Sequence, residues 1–142
     1  MIRHATPGDA LACGDILSAF IDDTPWMPRL HSRAEDIAFC AAMIDRGWVT
    51  VFGDRALGFM AQDGAEINAL YVAAAAQRHG IGRALLHAAK AASGQLALWT
   101  FQANADARAF YTAEGFVEAE LTDGIRNDER LPDVRLTWQR SA

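Results

Sequence analysis

Two glycines at the start of a predicted helix form the clearest chemical signal in the sequence. Gln77-Arg78-His79-Gly80-Ile81-Gly82 follows a predicted strand that ends at Val72. The first amides of a helix have no intrahelical acceptor and lie at the positive end of the helix dipole, and glycine lets an anion approach the backbone closely. The segment therefore suggests a phosphate site, with a flexible helix start that binds nothing as the alternative.

The charges around this segment favour anion binding. Residues 67–105 contain no Asp or Glu, while Arg78, Arg83 and Lys90 give this window a charge of +3 in a chain of net charge −5. Arg83, His87 and Lys90 have the i, i+4, i+7 spacing of one helix face. This basic stripe predicts an anion site beside the helix start, and an ordinary solvated helix face is the alternative.

Two common phosphate-binding motifs do not fit. A P-loop needs Gly-Lys-Ser/Thr, which the sequence lacks, and the dinucleotide motif G-x-G-x-x-G needs a third glycine where Leu85 stands. The glycines of that motif also follow their strand directly, whereas four alanines, residues 73–76, intervene here. A nucleotide-binding protein of another fold is thus a less favoured hypothesis.

Gln77-Arg78-His79-Gly80-Ile81-Gly82 resembles the Q/R-x-x-G-x-G/A motif of the GNAT superfamily of acyl-CoA-dependent N-acyltransferases. The match extends to Leu70-Tyr71-Val72 before it and Arg83-Ala84-Leu85-Leu86 after it. The segment from Asn104 to Tyr111, followed by Gly115-Phe116, is similar to the second cofactor motif of the family, N-x-x-A-x-x-F-Y and then G-F. The opening residues 2–9 are similar to the first strand and helix of the family. The resemblance covers the chain except residues 22–33 and 122–133.

This resemblance implies acetyl-CoA, or another short acyl-CoA, as co-substrate. The amides of residues 78–83 would hold the pyrophosphate, the main chain of residues 70–72 would pair with the pantetheine arm like an added strand, and Asn104 would bond to the same arm. The residues expected to bind the cofactor are Leu70, Tyr71, Val72, Gln77, Arg78, His79, Gly80, Ile81, Gly82, Arg83, Asn104, Ala107 and Phe110. No metal is expected.

The resemblance also suggests the catalytic groups. Acyl transfer to an amine needs a neutral amine, a donor to the oxyanion and an acid for the leaving thiolate. Glu66 is the candidate base, with a solvated carboxylate or a water relay as alternatives. Tyr111 is the candidate acid, with a packed phenol beside Phe110 as the alternative, and the Val72 amide is the candidate oxyanion donor.

The resemblance implies an acceptor site beside the loop between the first two helices. Asp23 and Trp26 are the candidate acceptor-binding residues there, because an aromatic ring with carboxylates suits a cationic amine. The alternative is that Trp26 covers the core and the acids are solvated. Asp128, Glu129 and Arg130 in a late polar loop are equally open, and Trp99 and Trp138 are predicted to be core residues.

The elements that must position these residues alternate along the chain. Apolar spacing and turn residues predict the order β-α-α-β-β-β-α-β-α-β-β, with antiparallel pairing of the middle strands and parallel pairing in the later strand–helix–strand units. Thr6 and Ser32 are predicted N-caps of the first two helices and Asn104 of the fourth. The predicted strands are Ile2–His4, 48–52, 57–61, Glu66–Val72, 96–101, 116–121 and 134–138, and the third helix is Ile81–Ala92.

Composition limits the remaining possibilities. The 142 residues fit one domain, 1–142, and the net charge of −5 disfavours nucleic-acid binding by bulk positive charge. The sequence has no run of 18 apolar residues and no secretory signal at its N-terminus, which predicts a cytoplasmic protein that crosses no membrane. Cys13 and Cys40 fit no metal spacing and are expected to be buried, reduced thiols.

The sequence thus predicts an α/β protein with a GNAT-like mixed sheet of about seven strands, flanked by about four helices. The favoured function is transfer of an acetyl group from acetyl-CoA to a primary amine of a small molecule. A polypeptide amine as acceptor, and a non-catalytic acyl-CoA-binding module, are the alternatives. Members of the family often form homodimers, which leaves a dimer open for this chain.

Overall fold

The computed structural model describes residues 1–141 and contains a seven-stranded mixed sheet, as predicted. Ala142, the last residue of the predicted domain, lies outside the described residues. The strands are β1 (Ile2–His4), β2 (Val49–Phe52), β3 (Gly58–Asp63), β4 (Glu66–Val72), β5 (Gln95–Phe101), β6 (Val117–Thr122) and β7 (Asp133–Gln139). Their order across the sheet is β1-β2-β3-β4-β5-β7-β6.

Four α-helices join these strands: α1 (Ala10–Asp23), α2 (Arg33–Asp45), α3 (Ile81–Ala92) and α4 (Ala105–Ala113). The predicted N-caps of α2 and α4 are confirmed. Ser32 Oγ accepts from the Glu35 amide at 3.1 Å while Glu35 bonds back to the Ser32 amide at 2.9 Å, and Asn104 Oδ1 accepts from the Ala107 amide at 3.1 Å.

The first helix begins later than predicted. Thr6 precedes a short 3-10 turn, Pro7–Asp9, and α1 starts only at Ala10. Asp9 closes this turn because its carboxylate accepts from the Thr6 amide at 2.8 Å and from Arg3 at 2.8 and 2.9 Å. Hydrogen bonding to Arg3 lowers the pKa of Asp9 to about 2, so this turn keeps a charged anchor at neutral pH.

The strand pairing agrees with the prediction up to β5. Strands β1 to β4 pair antiparallel in sequence order, and β4 pairs with β5 in parallel. The second strand–helix–strand unit differs, because β7 lies between β5 and β6 and is antiparallel to both. Strand β7 forms a hairpin with β6 and occupies the place beside β5 that a simple crossover would have given to β6.

Helices cover the sheet unequally. Helices α1 and α2 pack on one face of β2, β3 and β4, whereas α3 and α4 pack on the opposite face. The α1 face of β5, β7 and β6 has no helix on it within residues 1–141. Cys13 and Cys40 lie in the α1–α2 cluster as the buried free thiols that were predicted, and burial raises the pKa of both, to about 12 and about 11.

Gly14 sets the distance between α1 and α2. A Cβ atom at this position would lie 2.5 Å from the Cα atom of Ile37, a backbone atom that only a shift of α2 can move. We therefore expect Gly14→Ala to lower the free energy of unfolding by about 1–3 kcal/mol, which corresponds to a fall in Tm of about 3–10 °C. Thermal denaturation followed by circular dichroism measures this change.

Gly94→Ala is the matched control for that measurement. A Cβ atom there would meet nothing closer than the Arg140 guanidinium, 4.0 Å away. We expect its Tm to stay near the wild-type value. An equally stable Gly14→Ala protein would contradict the close α1–α2 contact.

Candidate active site

Strands β4 and β5 separate soon after they meet. Their pairing consists of Glu66 opposite Ala97, supported by the Ala97 amide donating to the Ala65 carbonyl at 2.8 Å. The register between β3 and β4 then shifts and leaves Asn68 as an extra residue of β4, which is a β-bulge. Because a bulge bends its strand, β4 turns away from β5 and opens a cleft of about 490 Å³ at their carboxyl ends.

The cleft brings together most of the residues that the sequence predicted for the cofactor. Those that line it are Leu70, Tyr71, Val72, Gln77, Arg78, Gly82, Asn104, Ala107 and Phe110, together with the predicted acid Tyr111. His79, Gly80, Ile81 and Arg83 belong to the same segment but do not line the cleft. Ile81 is a buried core residue, so only its main chain is available.

The start of α3 presents a run of free amides at one end of the cleft. None of the amides of residues 78–83 donates a hydrogen bond to any part of the chain from residue 1 to 141. Arg78 and Gly80 both have positive φ angles, +67° and +78°, so successive amides turn toward a common side as in an anion-binding nest. This arrangement fits a pyrophosphate.

The end of β4 contributes a further amide to the cleft. Ala73 donates its amide to Leu57 on the β3 side at 2.8 Å. Since amides alternate in direction along a strand, the Val72 amide points to the other side, where β5 has separated and the cleft lies. Gln77 Nε2 donates to the Val72 carbonyl at 3.3 Å and so ties the loop to this strand end.

Tyr111 is a buried phenol on the α4 wall of the cleft. Its ring packs edge-on against Phe110 and Phe116, with centroids 5.1 and 5.3 Å away, and only 7% of the residue is exposed. Burial raises its pKa well above the usual value, so the hydroxyl carries its proton at neutral pH. No hydrogen-bond partner within residues 1–141 occupies that hydroxyl, which leaves it free to donate.

The basic stripe on α3 does not form the open anion site that was predicted. The Glu114 carboxylate, at the end of α4, lies 2.9 Å from His87 Nε2, 3.3 Å from Arg83 Nε and 3.4 Å from Lys90 Nζ. Its side chain is mostly buried, and its single negative charge offsets part of the positive charge of the stripe. Arg78 makes no salt bridge with residues 1–141 and is the cation of the segment that remains open to a ligand.

Glu66 is held away from the cleft by an ion pair. Its two carboxylate oxygens accept from Nη1 and Nη2 of Arg135, each at 2.7 Å, and it is not among the residues that line the cleft. Arg135 in turn lies 5.3 Å above the ring of Trp99. The pair spans from β4 to β7 across β5, at the point where β4 and β5 begin to separate. A structural role thus stands beside the predicted role of Glu66 as the base, which stays a prediction.

Glu66→Gln and Arg135→Gln distinguish these two roles. We expect each change to lower Tm by a few degrees, because each removes a charge-assisted pair worth about 1 kcal/mol at a partly exposed site. If the pair is purely structural, kcat should stay within about threefold in both. A fall of 10²- to 10⁴-fold in Glu66→Gln alone, with Arg135→Gln active, would establish Glu66 as the general base.

The predicted acceptor residues divide in position. Neither Asp23, which is exposed at the end of α1, nor Trp26 lines the cleft, but Trp26 packs edge-on against Phe101 with ring centroids 5.8 Å apart. Phe101 and Met27 do line the cleft. Met27 belongs to the loop between the first two helices, where the acceptor site was expected. Sequence reasoning missed Phe101, although its position at the end of β5, just before Asn104, was a usable signal.

A second cavity lies on the other side of the end of β5. It has a volume of about 870 Å³ and shares Trp99, Thr100 and Phe101 with the cleft. Its charged lining consists of four carboxylates and one guanidinium: Glu120, Asp123, Arg126, Glu129 and Asp133. We call it the acidic cavity. Trp99, predicted as core, is 45% exposed here because no helix covers this face of β5.

The sequence model of the acetyltransferase (GNAT) domain matches residues 34–118. The chain belongs to the GNAT family. It is also 34% identical over 147 aligned positions to the peptidyl-lysine N-acetyltransferase YiaC of Escherichia coli (strain K12), with 97% of this chain and 96% of that protein covered. The predicted family is thereby confirmed, and the protein is a GNAT N-acetyltransferase.

Solved structures of other proteins share the fold. Apo YjaB from Escherichia coli superposes with a TM-score of 0.81 at 20% identity, over 99% of this chain and 98% of that one. The acetyltransferase yncA from Salmonella typhimurium, solved with acetyl-CoA, superposes with a TM-score of 0.73 at 19% identity, over 100% and 94%. None of the helices in residues 1–141 of this GNAT chain is long and apolar enough to span a membrane.

Proposed function

We propose that this GNAT protein transfers the acetyl group of acetyl-CoA to the side-chain amine of a lysine residue in a polypeptide. The main support for this proposal is the cleft between β4 and β5. It offers unpaired backbone groups of the strand along one wall and the free amides of residues 78–83 at its α3 end. Unpaired strand groups suit an extended amide-bearing arm, and helix-start amides suit a pyrophosphate. Acetyl-CoA carries both.

The chemistry needs few protein groups, because a thioester is already activated. The Val72 amide donates to the carbonyl oxygen as negative charge develops there, and the Tyr111 hydroxyl gives its proton to the departing sulfur. The nitrogen–carbon bond forms as the carbon–sulfur bond breaks. The amine loses its proton to water or, if Glu66 acts as predicted, to that carboxylate.

Two observations support a polypeptide lysine as acceptor. The relative YiaC is a peptidyl-lysine N-acetyltransferase. The acidic cavity adjoins the cleft through Trp99 and Phe101 and carries an excess of three negative charges, which favours a cationic chain over a neutral or acidic one. A small cationic amine is the second candidate, favoured by the Trp26–Phe101 pair, whose rings suit a compact cation.

An acceptor screen with acetyl-CoA, in which the free thiol of the released CoA is measured, tests the proposal. The acceptors are lysine peptides with a blocked N-terminus, amino acids, polyamines and aminoglycosides. We expect the lysine peptides to give the highest kcat/KM, and basic neighbours of the lysine to raise it. Preference for a polyamine or aminoglycoside would select the second candidate. Binding of acetyl-CoA without CoA release would indicate a non-catalytic module.

A further inference from the structure

Tyr71 places a second phenol at the cleft, on the opposite face of the sheet from Tyr111. Along β4, Leu70 packs with the α3–α4 cluster and the next residue, Tyr71, packs with the α1–α2 cluster. The Tyr71 ring lies between Phe20 and Phe59, with centroids 5.1 and 5.8 Å away. Both Tyr71 and Phe20 line the cleft.

The fold uses the ring of Tyr71 but not its hydroxyl. Within residues 1–141 this hydroxyl neither donates nor accepts a hydrogen bond. Every fully buried side-chain nitrogen or oxygen atom of these residues has a hydrogen-bond partner, so the unpaired hydroxyl is not fully buried. A phenylalanine would fill the same aromatic cluster. Because a hydroxyl on a half-buried residue normally finds a partner, an unused one on a residue that lines an open cleft points to a partner supplied from outside the chain.

The electrostatic surroundings keep this phenol neutral. Burial raises the pKa of Tyr71 to about 12, and the negative charge of Glu129, from the loop between β6 and β7, adds to the effect. A neutral phenol is no base near pH 7, but its oxygen accepts a hydrogen bond and its proton donates one. Glu129 also lines the acidic cavity, which places Tyr71 on the side where the acceptor is proposed to arrive.

We propose that the Tyr71 hydroxyl binds the attacking amine, accepting a hydrogen bond from one N–H so that the nitrogen lone pair faces the thioester carbonyl. This inference rests on the proposed function. The two phenols then have different roles on the two sides of the cleft. Tyr71 orients the nitrogen whose bond to carbon forms, while Tyr111 protonates the sulfur whose bond to carbon breaks and recovers its proton from solvent.

Tyr71→Phe tests this role with the acceptor that the wild-type enzyme uses best, either a blocked lysine peptide or spermidine. We expect kcat/KM for the amine to fall about 3- to 10-fold, the range for one neutral hydrogen bond, with most of the change in KM for the amine. The KM for acetyl-CoA and the Tm should not change, because the substitution keeps the ring and its packing and does not alter the main chain of residues 70–72, which is predicted to pair with the pantetheine arm. Hydrolysis of acetyl-CoA without an amine should also proceed at the wild-type rate.

The outcomes separate this inference from the proposed function. An active wild-type enzyme whose Tyr71→Phe variant keeps its kcat/KM for the amine overturns the role of Tyr71 alone. An equal loss of acetyl-CoA hydrolysis and amine transfer also overturns it, since the hydroxyl would then act on the thioester. A wild-type enzyme that acetylates no acceptor overturns both proposals.

Discussion

Tyr111→Phe is expected to lower kcat about 10²- to 10⁴-fold, the range for loss of one general acid. The change removes a hydroxyl that has no partner in residues 1–141 and keeps the ring between Phe110 and Phe116, so Tm should stay within about 1 °C. Acetyl-CoA binding should survive, because the amides of residues 78–83 are untouched. Steady-state kinetics and thermal denaturation on this one variant measure all three.

The raised pKa of Tyr111 adds a pH-dependent expectation. Since burial holds the phenol in its protonated form, the wild-type rate should show no loss from Tyr111 ionisation between pH 6 and about pH 9. A full-rate Tyr111→Phe enzyme would refute the proton-donor role and leave the packed phenol as its explanation. It would not affect the family assignment.

Gly82→Leu is expected to abolish acetyl-CoA binding. A Cβ atom on Gly82 would lie 3.7 Å from Val72 Cγ2 and 3.8 Å from Phe110 Cζ, so the remaining atoms of a leucine would have to enter the cleft. Acetyl-CoA at 100 times its Kd stabilises the wild-type protein by about 2.7 kcal/mol, or about 5–10 °C in Tm. Gly82→Leu should lose this shift, as measured by thermal denaturation with and without acetyl-CoA.

Gly82→Ala is the matched control for this variant. Its Cβ makes ordinary van der Waals contacts, and alanine is the better helix former, so stability and the acetyl-CoA shift should both be kept. NAD should shift none of these proteins. A Gly82→Leu protein that retains the full shift would mean that acetyl-CoA binds away from the α3 end of the cleft.

The parts of the site that the sequence predicted are local in the chain. The caps Ser32 and Asn104, the glycines before α3 and the strand that ends at Val72 depend on residues a few positions apart. Local hydrogen bonding and steric preferences are sufficient to specify such features. The same locality explains why β4 and α3 were predicted with their observed bounds.

The parts that the sequence did not predict are long-range pairings. Glu114, at the end of another helix, pairs with the α3 stripe, and Glu66 meets Arg135 from 69 positions away. The absence of Asp and Glu from a segment of sequence does not show whether an acidic residue from elsewhere in the chain lies against that segment in the fold. The alternation of side chains along β5 likewise places Trp99 on one face of the sheet. Whether a helix covers that face depends on how far α1 and α2 extend across the sheet.

The early separation of β4 and β5 places two strand edges in the interior of the sheet. Edge strands normally invite pairing with another chain, which is a route to aggregation. Here the cleft between β4 and β5 closes at Glu66 and Ala97 and is lined by residues of α3 and α4. A strand of another chain therefore has no straight path into the cleft. In hydrogen exchange, the Val72 amide should therefore behave like an edge amide, although β4 is the central strand of a seven-stranded sheet. Its protection from exchange should increase when a ligand fills the cleft.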